Sequence, residues 1–300
     1  MSASSAVAFD IVVLQDAQTE AYNNAYDGFL QTGVESHANG SIKSIRTDLV
    51  TRIVLRQNDF HDIESRINAL RPDLIVAIGE QSLSAAEQFS TIPVVSLLAL
   101  NSSQSLARHP NISGISMHIP ASQQLADLIE LIPAVKRIGI IYDPAKSRSI
   151  IDEATLFAEA RGITLVTEQV RSAREVSRTL SGMAGKIDAF WMLPDTTVIT
   201  TQTIDAIFLF SFQQRVPVLT FADKFIAQGA VVAVTLDLKA IGMQAGEMAR
   251  SVLAGNVSGR GFQEPVRKSK VRFNDLVAQK MYLRVNTAQL KSRSLSRRTR

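Results

Sequence analysis

Ile11-Val-Val-Leu-Gln-Asp16 and Ile138-Gly-Ile-Ile-Tyr-Asp143 follow one pattern: an apolar run closed by a side chain with a polar tip, then an aspartate. The two aspartates stand 127 residues apart. Two further pairs keep nearly that interval. Asp73-Leu-Ile-Val-Ala-Ile78 corresponds to Asp188-Ala-Phe-Trp-Met-Leu193, 115 residues on, and Ile92-Pro93-Val-Val to Val216-Pro217-Val-Leu, 124 residues on. Loops of unequal length account for the spread. Short, uninterrupted apolar runs of this kind suit strands buried on both faces.

Outward from these runs, strands are expected over residues 10–14, 42–46, 74–78 and 94–98, and again over 137–142, 164–170, 189–193, 218–220 and 231–235. Stretches between them, such as 19–38, 59–70 and 151–160, carry apolar residues at three- and four-residue spacing, as amphipathic helices do. Strands separated by such helices form parallel βαβ units. The expected fold class is α/β, built as two similar Rossmann-like lobes with parallel sheets, joined near the loop-like stretch 101–119. Ligands of such sheets sit outside the carboxyl ends of the strands. Two facing edges of this kind predict a ligand cleft between the lobes.

The composition agrees with a packed protein. The 300 residues are 46% hydrophobic and 20% charged, which excludes intrinsic disorder. No apolar run approaches the roughly 18 residues a membrane-spanning helix needs. Cysteine is absent, so disulfides, thiolate nucleophiles and Cys-ligated zinc are excluded. The net charge of +4 raises nucleic acid as a partner, but its location argues otherwise. Lys291, Arg293, Arg297, Arg298 and Arg300 lie in the basic segment 286–300, and removing them leaves −1 for residues 1–285. That segment lacks apolar periodicity and reads as a disordered tail. The body carries no basic stripe with interleaved aromatics, so no nucleic-acid partner is expected. Residues 1–8 have neither the positive nor the apolar region of an export signal.

Motifs for catalysis are wanting. Gly182-Met-Ala-Gly185-Lys186-Ile187 lacks the spacing and the hydroxyl residue of a phosphate loop, and no glycine-rich turn follows the first strand. His37, His61, His109 and His118 are scattered, without the spacing that sets two metal ligands on one helix face. Ser82 lies in Gly79-Glu-Gln-Ser, not in a nucleophile elbow. No enzyme, metal or cofactor is expected. A catalytic reading would need turnover that Asp195→Ala abolishes.

Polar residues do gather just after the expected strand ends. They are Gln15, Asp16, Glu80, Gln81 and Ser82 in the first lobe, and Asp143, Ser147, Ser149, Asp195, Thr196, Thr197, Phe221 and Asp223 in the second. Helix starts suit an anionic group, carboxylates suit an amine, and Phe221 or Tyr142 suits an apolar part. Taken singly, each Ser, Thr or Asp is as well explained as a helix cap. Taken as a set on one sheet edge, they make a binding site. Trp191, inside a strand run, reads as core.

These stretches also resemble the ABC-transporter substrate-binding protein family related to tryptophan- and tyrosine-binding proteins. The resemblance rests on Pro133-Ala-Val-Lys-Arg-Ile-Gly-Ile-Ile-Tyr-Asp-Pro144, Leu193-Pro-Asp-Thr-Thr-Val198, Val216-Pro-Val-Leu-Thr-Phe-Ala222, Gly229-Ala-Val-Val, Asp237-Leu-Lys-Ala-Ile-Gly242 and Asn274-Asp-Leu-Val-Ala278. It covers roughly residues 9–285. It implies the type I periplasmic-binding architecture, with lobe 1 at 9–117 plus 238–264 and lobe 2 at 118–237 plus 265–285. By position, Asp195-Thr196 matches the family's Asp-Asn-Thr loop, with Thr196 where Asn is usual. Asp237 matches its acidic crossover residue. Leu97-Leu-Ala-Leu-Asn101 departs from the family's Val-Thr-Asp-Pro and changes the lobe 1 lining.

The resemblance implies a monomeric, non-enzymatic, extracytoplasmic solute-binding protein whose export signal is not in this sequence and is taken as removed. It would close by a hinge on a small polar ligand, an aromatic or other amino acid first and a nucleoside-like or other carboxylated solute second. It would then present that ligand to an ABC permease. The alternative is a ligand-sensing module that regulates a partner protein.

Overall fold

The computed structural model describes residues 9–32, 37–38, 41–42, 49–55, 60–100, 102–255, 261–286 and 288. In chain order its elements begin with β1 Ile11–Gln15, α1 Glu20–Gln31, β2 His37–Ala38, β3 Ser41–Ile42, β4 Val50–Val54, α2 Phe60–Leu70, β5 Leu74–Ile78 and α3 Glu80–Ala86. Next come β6 Val94–Leu97, α4 Ser102–Arg108, β7 Ile112–Ile115, α5 Ala121–Leu131, β8 Arg137–Tyr142, α6 Pro144–Arg161, β9 Thr164–Gln169 and α7 Ala173–Gly182. The remainder are β10 Ala189–Trp191, α8 Thr201–Gln214, β11 Val218–Thr220, β12 Val232–Leu236, α9 Leu238–Leu253, β13 Gln263–Glu264, β14 Ser269–Phe273 and α10 Asp275–Lys280. They fall into two compact units. The first runs to Ile119 and takes up Leu236–Lys268; the second comprises Pro120–Thr235 and the chain from Ser269.

The first unit holds a sheet ordered β13-β7-β6-β5-β1-β4, and the second a sheet ordered β14-β12-β11-β10-β8-β9. The strand pairings in the first sheet are parallel, as are those joining β9, β8, β10, β11 and β12. The order β4-β1-β5-β6-β7 is thus repeated as β9-β8-β10-β11-β12. The two halves of the sequence repeat, β1 and β8, occupy the same place in each. Each sheet then gains one strand at its far edge. β14 is reversed, because Asn274 N–H donates to Val231 O (2.8 Å) and Thr235 Oγ1 to Lys270 O (3.3 Å). The expected α/β class is the one found, with two sheets that are parallel but for β14.

The apolar runs are strands because helices cover both their faces. All five β1 residues are buried; Ile11 and Val13 pack with α1 and α9, while Val12 and Leu14 pack with α2 and α3. In the second unit Ile141, Phe190, Val218 and Phe225 join one cluster with residues of α7 and α8. Trp191 is fully buried and donates Nε1–H to Gln124 Oε1 at 3.1 Å, a core role as expected. Helix α1 meets α9 backbone to backbone. A Cβ on Gly242 would stand 1.9 Å from the Ala25 carbonyl oxygen, so only glycine permits this crossing.

Several expected elements are redrawn. Of the strand expected at 42–46 only Ile42 is described, in a two-residue strand, and 43–46 lie outside the described residues. The sheet's edge strand is instead β4, where Thr51 is exposed and only Ile53 is buried, so no apolar run announces it. The helix expected over 19–38 ends at Gln31, with His37 and Ala38 in a strand. The stretch 101–119, read as a loop, contains α4 and β7.

Candidate functional site

The strand order reverses direction between β1 and β5 in the first unit and between β8 and β10 in the second. Doubly wound sheets bind ligands at that switch point. In the first unit Asp16 follows β1 and crosses to the start of α3. Its Oδ2 accepts Gln81 N–H (3.1 Å) and its Oδ1 accepts Ser82 N–H (2.6 Å). Helix α3 has no side-chain cap of its own, because Gly79 occupies the N-cap position at φ 109°. A Cβ there would stand 2.3 Å from Asp16 Oδ2. Asp16 therefore acts as a cap delivered from the neighbouring strand. Glu80 is half-buried, Gln81 is exposed, and Ser82 is fully buried with no hydrogen-bond partner for Oγ.

Gln15 ends β1 fully buried and uses both ends of its amide. Nε2 donates to Ala17 O (2.6 Å) and Asn23 Oδ1 (3.1 Å), while Oε1 accepts Arg52 Nε–H (3.1 Å). Arg52 on β4 also donates Nη2–H to Asn23 Oδ1, and its guanidinium lies 4.2 Å from the centre of the Tyr26 ring. Burial raises the Tyr22 pKa, helped by the charges of Asp16 and Glu80. Burial likewise raises that of Tyr26, against the lowering effect of Arg52. Asp237 caps α9, accepting Ala240 N–H at 3.1 Å.

The second unit ties the same two turns together differently. Asp195, 1% exposed, receives Asp143 N–H and Ser147 Oγ–H on Oδ2, both at 2.8 Å, and Thr197 N–H (2.9 Å) and Val198 N–H (3.3 Å) on Oδ1. Asp143 caps α6 through Ala145 N–H (3.0 Å) and accepts Thr197 Oγ1–H (2.8 Å). The Thr197 hydroxyl and the Ala145 N–H hold the Asp143 carboxyl below its ordinary pKa against the opposing effect of burial, with Lys146 and Arg171 assisting. Thr196 is exposed and accepts Lys146 Nζ–H at 2.6 Å. Phe221 stacks edge-on to Phe225 with centroids 5.5 Å apart. Asp223 pairs with Arg272 through Oδ2 at 3.3 Å, leaving Oδ1 buried with no hydrogen-bond partner.

The structure therefore brings Gln15, Asp16, Glu80, Gln81 and Ser82 together within the first unit, and Asp143, Ser147, Asp195 and Thr196 within the second. Ser149 is not at a strand end: it is exposed within α6. Sequence reasoning missed Arg52, Asn23, Tyr26 and Lys146. The signal for Arg52 was an arginine inside Val50-Thr-Arg-Ile-Val54, an unusual residue for such a run. A groove of about 640 Å³ lies elsewhere in the second unit, against α8 and α10, and none of the expected site residues lines it. Among the described residues no cluster of three metal-ligating side chains occurs. His109 stands 3.9 Å from Glu87, His118 is exposed, and the side chains of His37 and His61 lie outside the described residues.

The profile described as ABC transporter substrate binding protein matches residues 7–294. The chain belongs to this family. Its members are described as binding components of transporters rather than as enzymes. A tyrosine-binding protein of Clostridioides difficile is 26% identical over 215 residues, which span 68% of this chain and 62% of that protein. Solved structures share the fold. One is a ligand-free, open substrate-binding protein with adhesive properties from Clostridium difficile (TM-score 0.67, 20% identity, covering 92% of this chain and 95% of that one). Another is an ABC domain from Streptococcus pneumonia in complex with L-Trp (TM-score 0.52, 23% identity, covering 96% and 98%). Among the described residues no helix is long and apolar enough to cross a membrane.

Proposed function

We propose that this chain is the solute-binding component of an ABC uptake system. It takes a small polar solute at the carboxyl ends of its strands, outside the cytoplasm, and delivers it to a membrane permease. The supporting observation is the family match over residues 7–294, coupled to polar side chains at both switch points. The tyrosine-binding relative makes an aromatic amino acid the first candidate.

A thermal-shift screen of the whole chain against amino acids, nucleosides and sugars tests this. A ligand that binds only the folded state adds about 2.7 kcal/mol of stability at a hundred times its Kd. The expected result is a raised Tm with L-tyrosine or L-tryptophan, matched by a calorimetric binding isotherm. No shift and no heat with any solute class would overturn the proposal.

A further inference from the structure

We infer that Arg52 is the oxyanion receptor of the first unit, so that the solute carries a carboxylate or a similar planar oxyanion. The inference rests on the binding role proposed above and names the chemistry of that site. Arg52 is half-buried, yet it forms no ion pair with a carboxylate among the described residues. A guanidinium drawn out of water without a counter-charge is costly and calls for an anion. Its contacts among the described residues are neutral: Gln15 Oε1 on Nε, Asn23 Oδ1 on Nη2, and the face of Tyr26.

Those contacts hold the guanidinium in one orientation. Gln15 is fully buried at the end of β1, and Asn23 and Tyr26 stand one turn apart on α1. The held edge is Nε and Nη2; Nη1 has no partner among the described residues. A planar fork held in advance in this way recognises carboxylates better than a mobile lysine can. The place also fits. Arg52 pairs in register with Val13 on β1, and its side chain reaches Gln15 at the carboxyl end of that strand. An arginine serving only to tie α1 to the edge strand would contribute to folding but not to the distinction between an acid and its amide.

That distinction is the test. Whole wild-type chain, R52Q and R52K are titrated with L-tyrosine and L-tyrosinamide, L-tryptophan and L-tryptophanamide, and p-hydroxybenzoate and p-hydroxybenzamide. Unliganded melting curves check folding of each variant. The expected result is an acid bound about 10- to 100-fold more tightly than its amide by wild type, a difference abolished in R52Q and reduced in R52K. The inference is overturned if wild type binds acid and amide alike, if R52Q keeps the preference, or if only sugars or nucleosides bind; in each case the solute-binding role stands. Absence of binding by every solute class overturns both. If R52Q fails to fold, R52K carries the assignment: an acid preference left unchanged in R52K overturns it, while wild type binding acid and amide alike overturns it without any variant.

Discussion

Asp195→Asn is the most discriminating perturbation of the second unit. The carboxylate is 1% exposed and accepts four hydrogen bonds, two on each oxygen. An asparagine that keeps its oxygen toward Thr197 and Val198 turns an NH2 toward Asp143 N–H and the Ser147 hydroxyl. Ser147 can rotate and accept; the backbone N–H of Asp143 cannot. The reverse orientation is worse, since it opposes two backbone N–H groups. One buried charge-assisted bond, worth about 1.5–3 kcal/mol, is lost, and a buried N–H is left unsatisfied. The net cost is about 3 kcal/mol. At about 2–4 °C per kcal/mol for a unit of this size, the melting transition should fall by roughly 6–12 °C in the unliganded protein. Urea titration followed by circular dichroism gives the same quantity independently. A loss under about 1 kcal/mol would refute the reasoning and return Asp195 to the ranks of residues kept for the ligand alone.

Other consequences are open to direct measurement. Gly242→Ala sets a methyl group 1.9 Å from the Ala25 carbonyl oxygen, so α1 and α9 must separate; a loss of about 1–3 kcal/mol or more is expected by urea titration, and an unchanged midpoint would mean the helices part freely. Gly79→Ala combines φ 109° with a Cβ 2.3 Å from Asp16 Oδ2, and should cost about 1–3 kcal/mol while weakening whatever binds at that edge. For Asp143 the folded pKa lies below the unfolded value, so its contribution is complete above about pH 4 and is lost as pH falls through the depressed folded value. Thr197→Val should flatten that acid limb, as read from stability curves between pH 2 and 5; an identical limb would remove Thr197 as the cause.

The duplication was legible because strands covered on both faces leave uninterrupted apolar runs, and β1, β5, β8 and β10 each have such a run. Edge strands escape that rule. At one edge, β4 has one buried residue. β7 lies inside the sheet, between β13 and β6, and escapes for another reason: it is Ile-Ser-Gly-Ile, where Gly114 lies so close to Ser96 that its Cβ would stand 2.3 Å from Oγ. Small residues demanded by a neighbouring strand look, in sequence, like a turn. The site was legible as a location more than as a set of roles. Asp and Ser at strand ends were visible, but the hydrogen bonds that tie one turn to the other join residues 48 to 66 apart, as for Ser147 with Asp195 and Asp16 with Ser82.

That last point bears on which residues are available for a solute. Both switch points need their turns held together, and each uses a carboxylate to do so: Asp16 across to α3, and Asp195 across to the turn at Asp143. A carboxylate already accepting two or four short hydrogen bonds has few lone pairs to offer an amine. The side chains with capacity to spare stand beside these ties. Gln81 and Thr196 are exposed, Lys146 reaches Thr196 from the next helix, and Arg52 is oriented by neutral groups. Since the two units solve the same geometric problem with different residues, the repeat explains the framework. Specificity then belongs to the positions where the repeat is broken, and Arg52 is one of them: the residue opposite Ile140, which β8 offers in the place of Val13, is Thr167 on β9.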